Sequence, residues 1–244
     1  MSKQQEAKVE DNAVMTVEAG GKELSPLEQQ EVMSIFDIKQ NMEGVDAKLP
    51  VVKIIHAAAM FKMPSGEMVK DFSGVILDAQ RNNAFWAVSF DESGGGSPPN
   101  CFSIDGIKSS PLSDTRQNID CMSCSSNAFG TDIKGAGKAC KNMKFIHVLL
   151  PGDIMPVRLV LPPSNLKSAD LFITLLSGKG IAYQRVITNF SLKIVQNKDG
   201  IKYSELMLSA SEPSNDLQYL MKLKQIKDQW MPIMRGQSVS SSDL

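Results

Sequence analysis

All four cysteines of this chain, Cys101, Cys121, Cys124 and Cys140, fall in one stretch that has little else to fold with. Residues 101–144 are poor in long apolar runs and rich in Ser, Asn, Asp and Gly. A segment of that composition needs something other than its own core to hold it. The spacing is C-x19-C-x2-C-x15-C. Two residues between Cys121 and Cys124 let one tight turn present both sulfurs to a single tetrahedral ion. Cys101 and Cys140 then bring the flanking segments to the same centre. A soft four-thiolate set selects Zn²⁺, with an iron–sulfur cluster as second choice. Four filled positions leave none for water, so the expected zinc is structural. A redox dithiol at Cys121 and Cys124 lacks the βαβ surroundings of thioredoxin-like proteins. Four unrelated cysteines are the bland alternative.

The N-terminal residues, Met1 to Lys8, are polar and lack the apolar stretch of a signal peptide. The longest nearly apolar run, Val51 to Phe61, contains Lys53 and His56 and is too short for a bilayer. The expectation is a cytoplasmic protein in a reducing compartment with no membrane association. There, four cysteines point to metal or redox chemistry before disulfides.

At 244 residues the chain is long enough to bury a core without covalent help. Residues 1–24 read as a disordered acidic arm broken by Gly20 and Gly21. Ser25, Pro26 and Glu28 form a helix start, with Ser25 as cap, and the helix runs to about Gly44. Strand signals follow at Val51–Ile55, Phe72–Leu77, Asn83–Phe90, Phe145–Leu150, Val157–Leu161, Val186–Ile194 and Ile201–Leu208, with turns at Pro64–Gly66 and Asp199–Gly200. Residues 91–100 read as a loop. Helices are expected from Ser164 to Gly178 and from Ser214 to about Met234, before a flexible tail at 237–244. This is a β-rich α+β pattern of about seven short strands, a barrel or sandwich with peripheral helices.

The net charge of −1 hides a segregation, since residues 1–31 carry −4 and residues 32–244 carry +3. Lys134, Lys138, Lys141 and Lys144 form a basic strip beside Cys140, suited to phosphate contact or to plain solvation. A four-thiolate zinc would bring the insert back near neutrality. Single-strand binders stack bases on aromatic rings and meet the backbone with Lys and Arg. The candidates here are Arg81, Phe129, Trp86, Arg158, Tyr183 and Arg185. Phe85 and Trp86 are adjacent on a strand, so at most one faces a ligand. No P-loop, dinucleotide fingerprint, nucleophile elbow or zinc-protease helix is present. The two histidines, His56 and His147, read as strand residues. Nothing anchors an enzymatic reading, and a non-enzyme is expected.

Several segments recur in a known order: Phe72-Ser73-Gly74-Val75-Ile76-Leu77, Asn100-Cys101-Phe102-Ser103-Ile104-Asp105-Gly106 and Cys121-Met122-Ser123-Cys124 with Asn127-Ala128-Phe129-Gly130. Gly137-Lys138-Ala139-Cys140-Lys141, Leu161-Pro162-Pro163-Ser164 and Val186-Ile187-Thr188 complete the set. Across about residues 49–210 the chain resembles single-stranded-DNA-binding proteins of tailed phages and prophages, of the OB-fold type with a four-cysteine zinc insert. The resemblance implies one OB-like domain over 25–236, an insert at about 100–144, and a role in phage DNA replication or recombination. It also implies single-stranded DNA and replication or recombination proteins as partners, and leaves room for a homo-oligomer. The strongly acidic tail of many single-strand binders is missing, since residues 240–244 carry one acidic side chain. A second reading is a zinc-stabilised interaction factor docking on a polymerase or nuclease. It draws on the 14 Met and two amphipathic terminal helices.

Overall fold

A computed structural model describes residues 44–45, 47–88, 97–133, 135–196, 200 and 202–237. The chain divides into two compact units, Met1–Val45 and Asp46–Leu244, and the fold below is that of the second. The expected arm, the helix over 25–43, Lys134 and the tail from 238 lie outside the described residues.

Among the described residues nine strands form one strongly curled, half-barrel sheet with two α-helices. In chain order they are β1 (Val51–Ile55), β2 (Met60–Lys62), β3 (Met68–Val69), β4 (Asp71–Phe85), β5 (Cys101–Ser103), β6 (Lys141–Leu149), β7 (Val157–Leu161), β8 (Thr188–Gln196) and β9 (Lys202–Ala210). The helices are α1 (Leu166–Gly178) and α2 (Leu217–Gly236). The sheet order is β3-β2-β1-β7-β6-β4-β8-β9, with β5 paired to β4. β1 and β7 run parallel, and the other pairs are antiparallel. No helix among the described residues is long and apolar enough to cross a membrane.

Period-two alternation explains most of the strands. On one face Val52, Ile76, Ile146, Val148, Leu159 and Leu161 join Phe190 and Leu206 in the main core, where α1 adds Ala169. Phe72 stacks on Phe190 at 4.7 Å and meets the edge of Phe61 at 4.9 Å. The opposite face carries a smaller cluster of Ala84, Met143, Phe145 and Val160. β6 and β7 are covered on both faces, so their burial is nearly continuous.

Three differences from the sequence expectations matter for the site. The strand expected at 72–77 and the first three residues of that expected at 83–90 form one 15-residue strand, β4, which ends at Phe85 and leaves Trp86 beyond it. In its polar middle Asp78, Gln80, Asn82 and Asn83 are buried, and Asp78 and Asn83 meet partners from distant elements, while Arg81 stays exposed. β5, three residues long, forms inside the cysteine segment because it pairs with the end of β4. The C-terminal helix starts later, at Leu217, where the Asp216 carboxylate accepts from the Tyr219 amide.

Candidate metal centre and nucleic-acid interface

β5 and β6 flank the end of β4, and Ala84 pairs with Phe102 on one side and Lys141 on the other. Cys101 opens β5 and Cys140 immediately precedes β6, so two of the cysteines straddle one strand. The turn holding the other two is built locally. The Asp120 carboxylate accepts from the amide and hydroxyl of Ser123, and the Asn127 amide donates to the Cys124 carbonyl. The Asn127 side chain donates to the Cys121 carbonyl at 2.6 Å.

All four cysteines line one small cavity of about 10 Å³, on the order of a single water or ion. The Gln117 amide donates to the Cys101 sulfur at 3.5 Å, the kind of contact that orients a thiolate ligand. The cysteines are free of disulfides. Burial, reinforced by the charge of the other three sulfurs, pushes the Cys140 thiol up to about 12. Burial raises Cys121 as well, against hydrogen bonding from Ser103 and Asn83. A proton therefore occupies these sulfurs at neutral pH unless a cation replaces it.

Among the described residues no three His, Cys, Asp or Glu side chains are arranged as a metal-binding group. The cysteines share a cavity but do not form a coordination sphere, so the structure supports the cysteine-bearing insert without supporting its zinc. The donor chemistry itself fits a soft ion.

Phe129 is 81% exposed, and the Lys138 ammonium lies 5.0 Å from its ring centroid while donating to Asn127 Oδ1 at 3.2 Å. Lys141 is half-buried in an ion pair with Asp132. Lys144 is buried and paired with Asp170. Arg81 is exposed on β4, directly across from Lys144.

Three other candidates are committed to the fold. Arg158, a candidate for phosphate contact, is buried because β7 lies between β1 and β6. Its guanidinium lies 4.8 Å from the Phe145 ring centroid and donates to Gln237 Oε1 at 3.1 Å. Trp86 packs on the smaller core and donates to the Ser97 carbonyl. Arg185 is half-buried and donates to the Ser214 carbonyl and the Asn215 side chain. Arg158 is buried, while Trp86 and Arg185 are half-buried with polar groups engaged within the fold.

Arg81, Lys144 and Tyr183 do come together. With Asp170, Ile173 and Thr174 of α1 they line an open groove of about 410 Å³. Sequence reasoning missed Asp170, because only the packing of α1 on the sheet brings it to Lys144. It also missed the buried group formed by Asp78, His147 and Arg235. The available signal was the polar run inside an otherwise apolar strand pattern.

The chain matches no known protein family, curated protein or solved structure.

Proposed function

We propose that this chain is a non-enzymatic single-stranded-DNA-binding protein serving phage replication or recombination. In this reading the curled sheet is an OB-like platform and the cysteine insert, held by a structural zinc, forms one wall. The observation that carries it is Phe129, an aromatic ring left in solvent with a lysine ammonium beside it. Burying such a ring is the ordinary outcome of folding, since an exposed one forgoes about 2 kcal/mol of burial. Beside a cation it offers a nucleobase a stacking face and a phosphate a charge.

Fluorescence anisotropy with labelled oligo-dT tests the proposal. Phe129→Ala should weaken binding by about 1–3 kcal/mol, the usual worth of one stacked base. With about three phosphate contacts, raising salt fourfold should weaken binding by about twentyfold. Absence of binding at micromolar protein in low salt rejects the reading.

The second reading, a protein-interaction factor, is favoured by the insert's other exposed side chains, Leu112, Ile119, Met122 and Ile133, which are 64–94% exposed. A stoichiometric protein partner that survives nuclease treatment, together with no oligo-dT binding, would select it.

A further inference from the structure

Arg81 and Lys144 face each other across β4 and β6. Like charges directly opposite on an antiparallel pair destabilise the sheet, and local rules are broken in this way chiefly at functional sites. One anion offsets the pair: Asp170 of α1 binds the Lys144 ammonium. No hydrogen bond or ion pair among the described residues reaches the Arg81 guanidinium, which is exposed. These three side chains leave one positive charge at the mouth of the groove.

The facing wall is built by helical spacing. Asp170, Ile173 and Thr174 stand at i, i+3 and i+4, so a carboxylate, an apolar side chain and a hydroxyl share one stripe of α1. Tyr183 completes the lining with a ring. Elsewhere α1 closes against the core through Leu166, Ala169 and Phe172. Here the seam between helix and sheet stays open at about 410 Å³, within the range of about 300–1,000 Å³ for small-ligand clefts.

We propose that this groove is a nucleotide subsite. The phosphate sits on Arg81 with Lys144 behind it, and the sugar and base lie along Ile173 and Tyr183. The residual positive charge suits a single phosphate group, and Asp170 disfavours a polyphosphate. The apolar and aromatic walls give a bare inorganic anion nothing to bind. The subsite rests on the strand-binding reading only for the source of the nucleotide, which is either one unit of a DNA strand or a free nucleotide.

Calorimetric titration of the full chain with thymidine monophosphate, thymidine and inorganic phosphate provides the test. Thymidine monophosphate should bind, with thymidine and phosphate each at least about tenfold weaker, or about 1.4 kcal/mol. Arg81→Met, and Thr174→Trp filling the groove, should each weaken the nucleotide about tenfold. Both positions are exposed, so unfolding midpoints should stay unchanged and confirm folded variants. Phe129→Ala should leave nucleotide binding intact. Displacement of labelled oligo-dT by the nucleotide identifies a strand unit as the occupant, and simultaneous binding identifies a free nucleotide; either result upholds the subsite. Nucleotide binding without any oligo-dT binding removes the strand-binding reading and leaves the groove standing. No nucleotide binding, equal binding of phosphate alone, or indifference to both groove variants overturns the proposal.

Discussion

Asp78 is 2% exposed, yet it remains a carboxylate. Burial alone pushes its carboxyl up. The Arg235 guanidinium, hydrogen-bonded and charged, and the neighbouring His147 ring more than offset that and hold it below the ordinary 3.8. Arg235 donates twice, at 2.9 and 2.6 Å. The His147 ring is fully buried, 3.8 Å from Asp78, and burial depresses its pKa below 6.5 despite the nearby carboxylate. It is therefore neutral in the fold, while the unfolded chain takes up its proton below about pH 6.5. Where the unfolded state binds more protons, stability rises with pH. Stability from His147 is thus full above its unfolded value and drains as pH falls toward its lowered folded value. Asp78 adds a second loss only below 3.8. Urea midpoints should fall between pH 7 and pH 5, and His147→Leu should flatten that fall. The residual slope belongs to His56, whose ring is lowered the same way by partial burial. An unchanged slope in the variant would assign the transition elsewhere.

At the scale of single elements, β4 organises the sheet by changing partners. Asp71–Gly74 pair with β8, and Val75–Ala84 pair with β6. Gly74 sits at the changeover, where a Cβ would lie 2.5 Å from Val148 Cγ1 and 2.7 Å from the Leu149 carbonyl oxygen. Close backbone approach is what admits the curl here, and only glycine allows it. Gly74→Ala should destabilise the domain by about 1–3 kcal/mol, the usual cost of overpacking. Gly135→Ala, with open space around it, should leave the urea midpoint nearly unchanged. Equal midpoints for the two variants would contradict the packing argument. β1, β7 and β9 were legible in the sequence because their apolar side chains alternate or run together within one short window. The continuity of β4 was not, because Asp78 is satisfied by Arg235, 157 positions away. The same limit applies to the sites. Cysteine spacing is local and exposed the shared cavity, whereas the opposition of Arg81 to Lys144 is a matter of register and appears only once β4 and β6 are paired.

Across the whole molecule, the cysteine cavity and the nucleotide groove are neighbours on one strand. Asn83 lines the cavity and Arg81 lines the groove. Two residues apart on β4, they are separated by about 7 Å and share a face. Asn83 is tied to both sides: its amide donates to the Gly106 carbonyl at 3.3 Å, and its oxygen accepts from Asn142 at 2.7 Å. Gly106 in turn packs against Arg81, since a Cβ there would lie 2.9 Å from the arginine Cβ. Whatever orders the insert therefore orders the mouth of the groove. Thiols at neutral pH leave Cys140 protonated, and a bound Zn²⁺ would displace that proton and draw the sulfurs together. Metal analysis of protein purified in reductant should find about one zinc per chain. Removing it should raise the thiols open to a disulfide reagent from none to all four of the chain's cysteines. It should also speed exchange of the Cys121 and Cys140 amides, which donate to Ile107 and Ser126. Cys124→Ser should reproduce both changes without a chelator. Zinc far below one equivalent, with four reactive thiols in the untreated protein, would leave the cavity a buried cluster of thiols. The insert would then be held by the pairing of β5 on β4 and by hydrogen bonds such as those of Asn83, Asp120 and Asn127.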